Sequence, residues 1–192
     1  MAATVPYVVQ PGSIVKILEK ARDAKTPDRF NQDFLETKLG FRGGNYRQFI
    51  PFAKKLGFLN SDGTPTDLYK RYRNPPTSKA AMAQAVRNGY REIFERNEYA
   101  NNLNREQFKG LVVEITGLEQ KDRIVQLICQ TFESLRAMSD FESKLPQTAT
   151  DDAEPDKVEG GDKEKAARKE SAAGLRDFDM NLSYTINLLS IS

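Results

Sequence analysis

The chain has 192 residues, of which 39% are hydrophobic and 29% are charged, and its formal net charge is +2. No apolar run approaches the ~18 residues of a membrane-spanning helix, so we expect a cytoplasmic protein with no membrane partner. The single cysteine, Cys129, excludes an internal disulfide and a thiolate zinc cage made by one chain.

The N-terminal residues predict two short helices. Ser13 can cap the first helix, in which Ile14 and Ile17 begin an apolar stripe with helical spacing. The second helix follows Pro27 and ends at Gly40, because glycine suits the left-handed position just past a helix end.

A third helix follows the glycine turn at residues 43–44. Phe52 lies on its apolar stripe, and Gly57 ends it. Pro51 lies inside the same stretch, so this helix either starts late, near Ile50, or is kinked.

A tight hairpin comes next, with Asp62 and Gly63 at its turn. Asp-Gly between extended residues is a strong hairpin signal, because glycine accepts a positive φ. Thr66 can then cap a short helix on which Tyr69 packs inward. Helix, turn, helix and hairpin is the order of a winged helix-turn-helix, so a winged-helix-like segment is predicted over residues 1–75, with a very short wing.

Residues 76–141 predict a helical extension packed on that segment. Pro75 and Pro76 break the chain, and Ser78 can cap a long helix whose apolar face includes Ile93.

Two further helices complete the extension. Asn104 and Gln107 have the spacing of a capping box at the start of one helix, and Gly117 closes it. The last helix spans about residues 119–140.

The C-terminal residues change character twice. Residues 142–174 lose most apolar side chains, so they predict a disordered charged linker. Within 175–192, apolar and polar residues alternate over 178–188, which predicts an amphipathic β-strand for self- or partner association. Its open edges must pair with the same strand in a second copy, with another protein or with the wing. The predicted fold is therefore mostly α, with one C-terminal strand.

An ordered set of short motifs resembles a prokaryotic family classified as a domain of unknown function. The resemblance covers about residues 5–140 and touches the terminal strand. In one-letter code the motifs are PYV at 6–8, PG at 11–12, KLGF at 38–41, LGFL at 56–59 and DGTPT at 62–66, followed by tyrosines. The resemblance implies no reaction and no binding residues.

The residues that usually carry catalysis are scarce. The chain has no histidine, which removes the commonest general base and metal ligand at neutral pH. Cys129 lies on an apolar helix and is expected to be a buried structural cysteine. No phosphate-cradling or dinucleotide-binding glycine pattern is present. We therefore expect a protein that is not an enzyme and has no cofactor and no metal.

Basic residues are concentrated between residues 38 and 73. The basic residues there are Lys38, Arg42, Arg47, Lys54, Lys55, Lys70, Arg71 and Arg73, and the acidic ones are Asp62 and Asp67. A polyanion is attracted to such a cluster. The other interpretation is that these side chains are the solvated faces of helices that pack inward.

The basic cluster predicts a non-enzymatic DNA-binding or adaptor protein. A helix from about residue 45 to residue 56 is then the recognition element, and Arg47, Gln48 and Lys54 reach a groove of duplex DNA. Arg42 holds the backbone beside the glycine turn. The residues that neutralise phosphates are Lys55, Lys70, Arg71 and Arg73.

The alternative is a protein-interaction or oligomerisation module with no nucleic-acid role. The helices are then a scaffold, and the strand at 178–188 docks onto a second copy or onto another protein.

Overall fold

The computed structural model describes residues 5–143 and Leu145, and in these residues the chain is mostly helical, as predicted. The chain divides into two units, Met1–Thr148 and Ala149–Ser192, and every described residue belongs to the first. The predicted linker beyond residue 145 and the predicted strand at 178–188 lie outside the described residues.

The helices follow one another with short connections. The α-helices are α1 (Pro11–Asp23), α2 (Phe49–Lys55), α3 (Asp67–Arg73), α4 (Pro75–Gly89), α5 (Arg91–Arg96), α6 (Arg105–Thr116) and α7 (Arg123–Ala137). Shorter helical turns occur at Phe34–Lys38, Gly44–Tyr46 and Ala100–Asn102. No helix within residues 5–143 combines the length and the apolar character needed to cross a bilayer.

Three predicted end signals, one on α3 and two on α6, are confirmed. The Thr66 hydroxyl accepts a hydrogen bond from the Tyr69 amide at 3.3 Å and caps α3. Asn104 and Gln107 form a reciprocal capping box at α6, with distances of 2.9 Å and 3.1 Å. Gly117 ends α6 in the left-handed conformation, with φ of 68°. These short-range hydrogen bonds satisfy amides and carbonyls that a helix end leaves open.

Two predicted helix starts are wrong, and in both cases a proline explains the difference. Helix α1 begins at Pro11, and the Ser13 hydroxyl donates to the Gln10 carbonyl at 2.7 Å instead of capping the helix. Helix α4 begins at Pro75, and Ser78 is buried inside it. Proline suits the first helical position, since its φ is already helical and no amide hydrogen is needed there.

The predicted long helix to Ile93 is also wrong, because α4 ends at Gly89 and α5 starts at Arg91. At Tyr90 the backbone leaves the helical region, with φ of −107° and ψ of 31°. Leu56 packs so closely there that a Cβ on Gly89 would lie 2.7 Å from Leu56 Cδ2. The break therefore coincides with a tertiary contact that glycine permits.

One hydrophobic core joins the two predicted helical segments. Helix α7 packs against α1, α4 and α6. The Phe132 ring on α7 stacks on Phe108 at 4.0 Å and meets Tyr90 edge to face at 5.2 Å. The Val8 amide donates to the Thr131 hydroxyl of α7 at 3.3 Å. The N-terminal residues are thus fixed to the last described helix.

The predicted hairpin is present as a tight turn. Leu59 and Pro65 form one antiparallel bridge, and the Asn60 amide donates to the Thr64 carbonyl at 2.9 Å. Gly63 has φ of 91°, as the Asp-Gly pattern predicts. The part of the chain that the structure describes contains no longer β-ladder. The winged-helix comparison therefore stays a prediction.

Candidate nucleic-acid interface

The predicted recognition element is shorter than expected. The α-helix spans Phe49–Lys55, and the residues before it form the separate turn Gly44–Tyr46, so a continuous helix from residue 45 to residue 56 is wrong. Pro51 occupies the first turn of α2, where its missing amide hydrogen breaks no helical hydrogen bond. Of the two predicted alternatives, a late start or a kink, the structure shows the late start.

Helix α2 buries one face and exposes the other. Phe49, Phe52 and Ala53 lie in the core. Gln48 just before the helix and Lys55 at its end are exposed. The helical period places these two residues on the same side, two turns apart.

The N-terminal residues run beside this exposed face. Their side chains and those of α2 border an open groove of about 290 Å³. It is lined by Val5, Pro6, Tyr7, Val9, Gln48, Pro51, Phe52 and Lys55. We call this space the N-terminal groove, and it brings together two of the predicted site residues, Gln48 and Lys55.

Arg42 and Arg47 precede α2 and are exposed, on either side of the glycine turn at residues 43–44. Gly43 has φ of 110°, a conformation that L side chains rarely adopt, and the Arg47 amide donates to the Gly44 carbonyl at 3.2 Å. Arg42, Arg47 and also Lys55 of α2 make no ion pair and no side-chain hydrogen bond within residues 5–143 and Leu145. These three cations are therefore available to an anionic ligand.

Lys54 and Lys70 each have a partner. Lys54 Nζ donates to the Ser61 carbonyl of the hairpin at 2.6 Å. Lys70 Nζ lies 2.8 Å from Asp67 Oδ1 on the exposed side of α3. The hydrogen bond and charge of Lys70 hold the pKa of Asp67 below its ordinary value. Exposed contacts of this kind are weak, so both lysines stay free to exchange them for a phosphate.

Arg71 lies elsewhere, in a groove of about 720 Å³ between α3, α4 and the residues after α7. Arg87 lines the same groove. Its guanidinium donates to the Phe141 carbonyl at 3.2 Å and lies 5.2 Å from the centre of the Phe141 ring. Arg71 and Arg87 thus share a space separate from the N-terminal groove.

The Arg73 side chain donates hydrogen bonds within the protein. Its Nε donates to the Arg22 carbonyl at 3.1 Å, and its two terminal nitrogens donate to the Ala24 carbonyl and the Thr26 hydroxyl. The Arg22 and Ala24 carbonyls lie at the C-terminal end of α1, where carbonyls lack helical partners and a cation is favoured, and Thr26 follows the helix. The arrangement favours a structural role for Arg73 over the predicted phosphate contact.

Tyr69 strengthens the same junction between α3 and α1. Its hydroxyl donates to the Ala21 carbonyl at 3.1 Å, and its ring is buried, as predicted. Burial raises the pKa of Tyr69 to about 12, an effect that the positive charge of Arg73 opposes. The hydroxyl therefore stays protonated and keeps donating at neutral pH.

Arg73→Ala is expected to lower the free energy of unfolding by about 1 to 2 kcal/mol, since hydrogen bonds from a charged group contribute about 1.5–3 and partial exposure reduces that. Urea unfolding followed by circular dichroism measures the change. Lys70→Ala on the same helix is the control and should cost at most about 0.5 kcal/mol. Equal losses for the two variants would contradict the structural role of Arg73.

Cys129 is buried, with 2% of its surface exposed, as predicted for a structural cysteine. Burial raises the pKa of its thiol to about 11, so the thiolate needed for nucleophilic attack is disfavoured at neutral pH. In the described part of the chain, acidic and cysteine side chains form no group of three or more that could hold a metal ion.

The sequence did not indicate the part of this surface that comes from Tyr7 and Val9. The available signal was that the chain starts with an extended stretch that contains a proline. That signal does not reveal which helix the stretch packs against. The structure places that start against α2, where the Gln48 side-chain oxygen accepts a hydrogen bond from the Val9 amide at 3.3 Å.

The described fold is that of a mostly helical protein with a basic, partly grooved surface around α2. The family model that matches residues 6–146 is described as a family of unknown function (DUF5343). The match covers most of the chain, and the protein belongs to this family, as the motif resemblance predicted. No curated protein and no solved structure matches the chain.

Proposed function

We propose that this protein is a non-enzymatic DNA-binding or adaptor protein whose basic surface between residues 38 and 73 contacts duplex DNA. The observation that carries the proposal is the exposure of Arg42, Arg47 and Lys55 without any ion pair among the described residues. Keeping like charges exposed and close in sequence costs stability, whereas a phosphate backbone compensates for them.

The residues have different roles in this proposal. Arg42, Arg47 and Lys55 neutralise phosphates, and the Gln48 amide contacts a base edge. Lys54 and Lys70 add weaker phosphate contacts at the hairpin and on α3. Arg73 supports the surface by holding α3 against the end of α1.

Binding of the full chain to pooled duplex DNA should weaken steeply as salt rises from about 50 to 200 mM, because each neutralised phosphate contributes about −0.9 to the log–log slope. Fluorescence anisotropy measures this slope. The double variant Arg42→Ala/Arg47→Ala should reduce its magnitude by about 1.8, which corresponds to two phosphates.

The matched control is Lys121→Ala/Arg123→Ala, which removes the same charge from two exposed residues outside the basic cluster. The control should leave the slope unchanged. Absent binding, binding insensitive to salt, or equal effects of the two double variants would refute duplex binding through this surface.

A second candidate is a protein-interaction module without a nucleic-acid role. The strict alternation of apolar and polar residues over 178–188 favours it, because an amphipathic strand with open edges pairs with another chain. Deleting residues 175–192 should then abolish self-association in equilibrium sedimentation. Unchanged self-association after the deletion would argue against this candidate.

A further inference from the structure

The N-terminal groove collects an unusual set of side chains. Among the described residues only three large hydrophobic side chains are exposed, and two of them line this groove: Tyr7 at 37% and Val9 at 39%. The third, Tyr99, lies outside it. An aromatic side chain left exposed in a groove presents a flat face on which a planar ligand can stack.

Gln48 gives the groove an oriented donor. The Val9 amide can only donate, so the Gln48 group that meets it at 3.3 Å must be the side-chain oxygen. The Gln48 NH₂ group therefore faces away from Val9, and no described residue accepts from it. Held in this way, the amide offers donors to an acceptor on a ligand.

The charge of the groove is positive. Lys55 is its one charged lining residue, and it makes no ion pair within residues 5–143. Arg47 precedes Gln48 in the chain, is exposed, and makes no ion pair with any residue that the structure describes. An anionic ligand therefore complements this site better than a cationic or a neutral ligand would.

The size of the groove and its walls limit what it can hold. About 290 Å³ is at the small end of the ~300–1,000 Å³ typical of ligand sites, which suits a single nucleotide-sized group. The exposed face of α2 lies beside Tyr7 and Val9, and this helix is only seven residues long. The surface between them is a depression, which can receive a flat group that projects from a ligand.

We propose that the N-terminal groove binds one unpaired base of a single-stranded nucleic acid. Tyr7 stacks on the base, the Gln48 NH₂ group donates to a ring or carbonyl acceptor on its edge, and Lys55 contacts the adjacent phosphate. Stacking on an aromatic side chain beside cations is the general way in which proteins hold single strands. This inference rests on the proposed nucleic-acid function and names the part of the ligand that the site recognises.

The test compares a short labelled oligothymidine with a duplex of the same length, using the full chain and fluorescence anisotropy. Tyr7→Ala should weaken binding of the single strand by about 10-fold or more, the loss expected for one base–aromatic stack. Tyr7→Phe should bind like the wild type, because it keeps the stacking face. Duplex binding should be unaffected by either substitution.

Tyr99→Ala is the matched control, since Tyr99 is 63% exposed and lies outside the groove. Equal affinities of Tyr7→Ala and wild type for the single strand, or equal losses in Tyr7→Ala and Tyr99→Ala, would overturn the inference. Salt-dependent duplex binding with no single-strand binding would overturn the inference alone. Binding of neither ligand would overturn the proposed function as well.

Discussion

Phe132→Ala is expected to lower the free energy of unfolding by about 3 to 5 kcal/mol, the largest effect of any substitution considered for this protein. The Phe132 ring is 1% exposed and contacts three other aromatic rings, those of Phe108 at 4.0 Å, Tyr90 at 5.2 Å and Phe94 at 6.3 Å. Removing it leaves a cavity and also loses aromatic pairs that contribute about 0.5–1.5 kcal/mol each. Urea unfolding followed by circular dichroism gives the change.

Tyr99→Ala controls for the loss of an aromatic side chain at the surface and should change stability by at most about 0.5 kcal/mol. Because α7 packs on both α1 and α6, the Phe132→Ala variant should still unfold in one transition. A loss below about 1 kcal/mol would contradict the central position of Phe132. Two separate transitions would show that residues 1–75 and 76–141 fold independently.

The features that the sequence predicted correctly depend on neighbours within a few residues. Thr66 caps α3 because its hydroxyl reaches an amide three residues later, and Asn104 and Gln107 satisfy each other in the same way. Gly57 and Gly117 end helices because a positive φ costs glycine little. Such interactions can be read from a short stretch of sequence.

The features that the sequence missed depend on residues far apart in the chain. The break between α4 and α5 occurs where Leu56 packs against Gly89, and no pattern near residue 89 reveals that contact. The helical spacing of the apolar residues continues through Tyr90. A periodic pattern therefore predicted one helix where tertiary packing produces two.

The same distinction between local and long-range features holds for the candidate site. The charge of the basic cluster follows from composition, but the partners of its members do not. Arg73 is tied to carbonyls at the end of α1, and Gln48 to the Val9 amide, across separations that the sequence gives no means of seeing. The positive charge of the cluster was thus predictable. The position of each basic residue, whether in a structural contact, in one of two grooves or on an exposed loop, was not.

Gly63→Ala is expected to lower the free energy of unfolding by about 2 to 3 kcal/mol. Gly63 has φ of 91°, and a Cβ there would lie 2.9 Å from the Phe30 carbonyl oxygen. The Gly63 carbonyl also accepts from the Phe30 amide at 2.7 Å, so the hairpin cannot move away without breaking this bond. Phe30 is buried against Tyr69 and other rings, and its displacement disturbs the core. Thermal and urea unfolding measure the loss.

Gly40→Ala separates the two contributions to that loss. Gly40 has nearly the same backbone conformation, with φ of 80°, but a Cβ there would meet nothing within 4 Å. Only backbone strain remains, so the cost should be about 1 kcal/mol. The difference between the variants is then the free energy of the close contact between the hairpin and Phe30. Equal losses would mean that strain alone accounts for Gly63, and that the hairpin is free to shift away from the core.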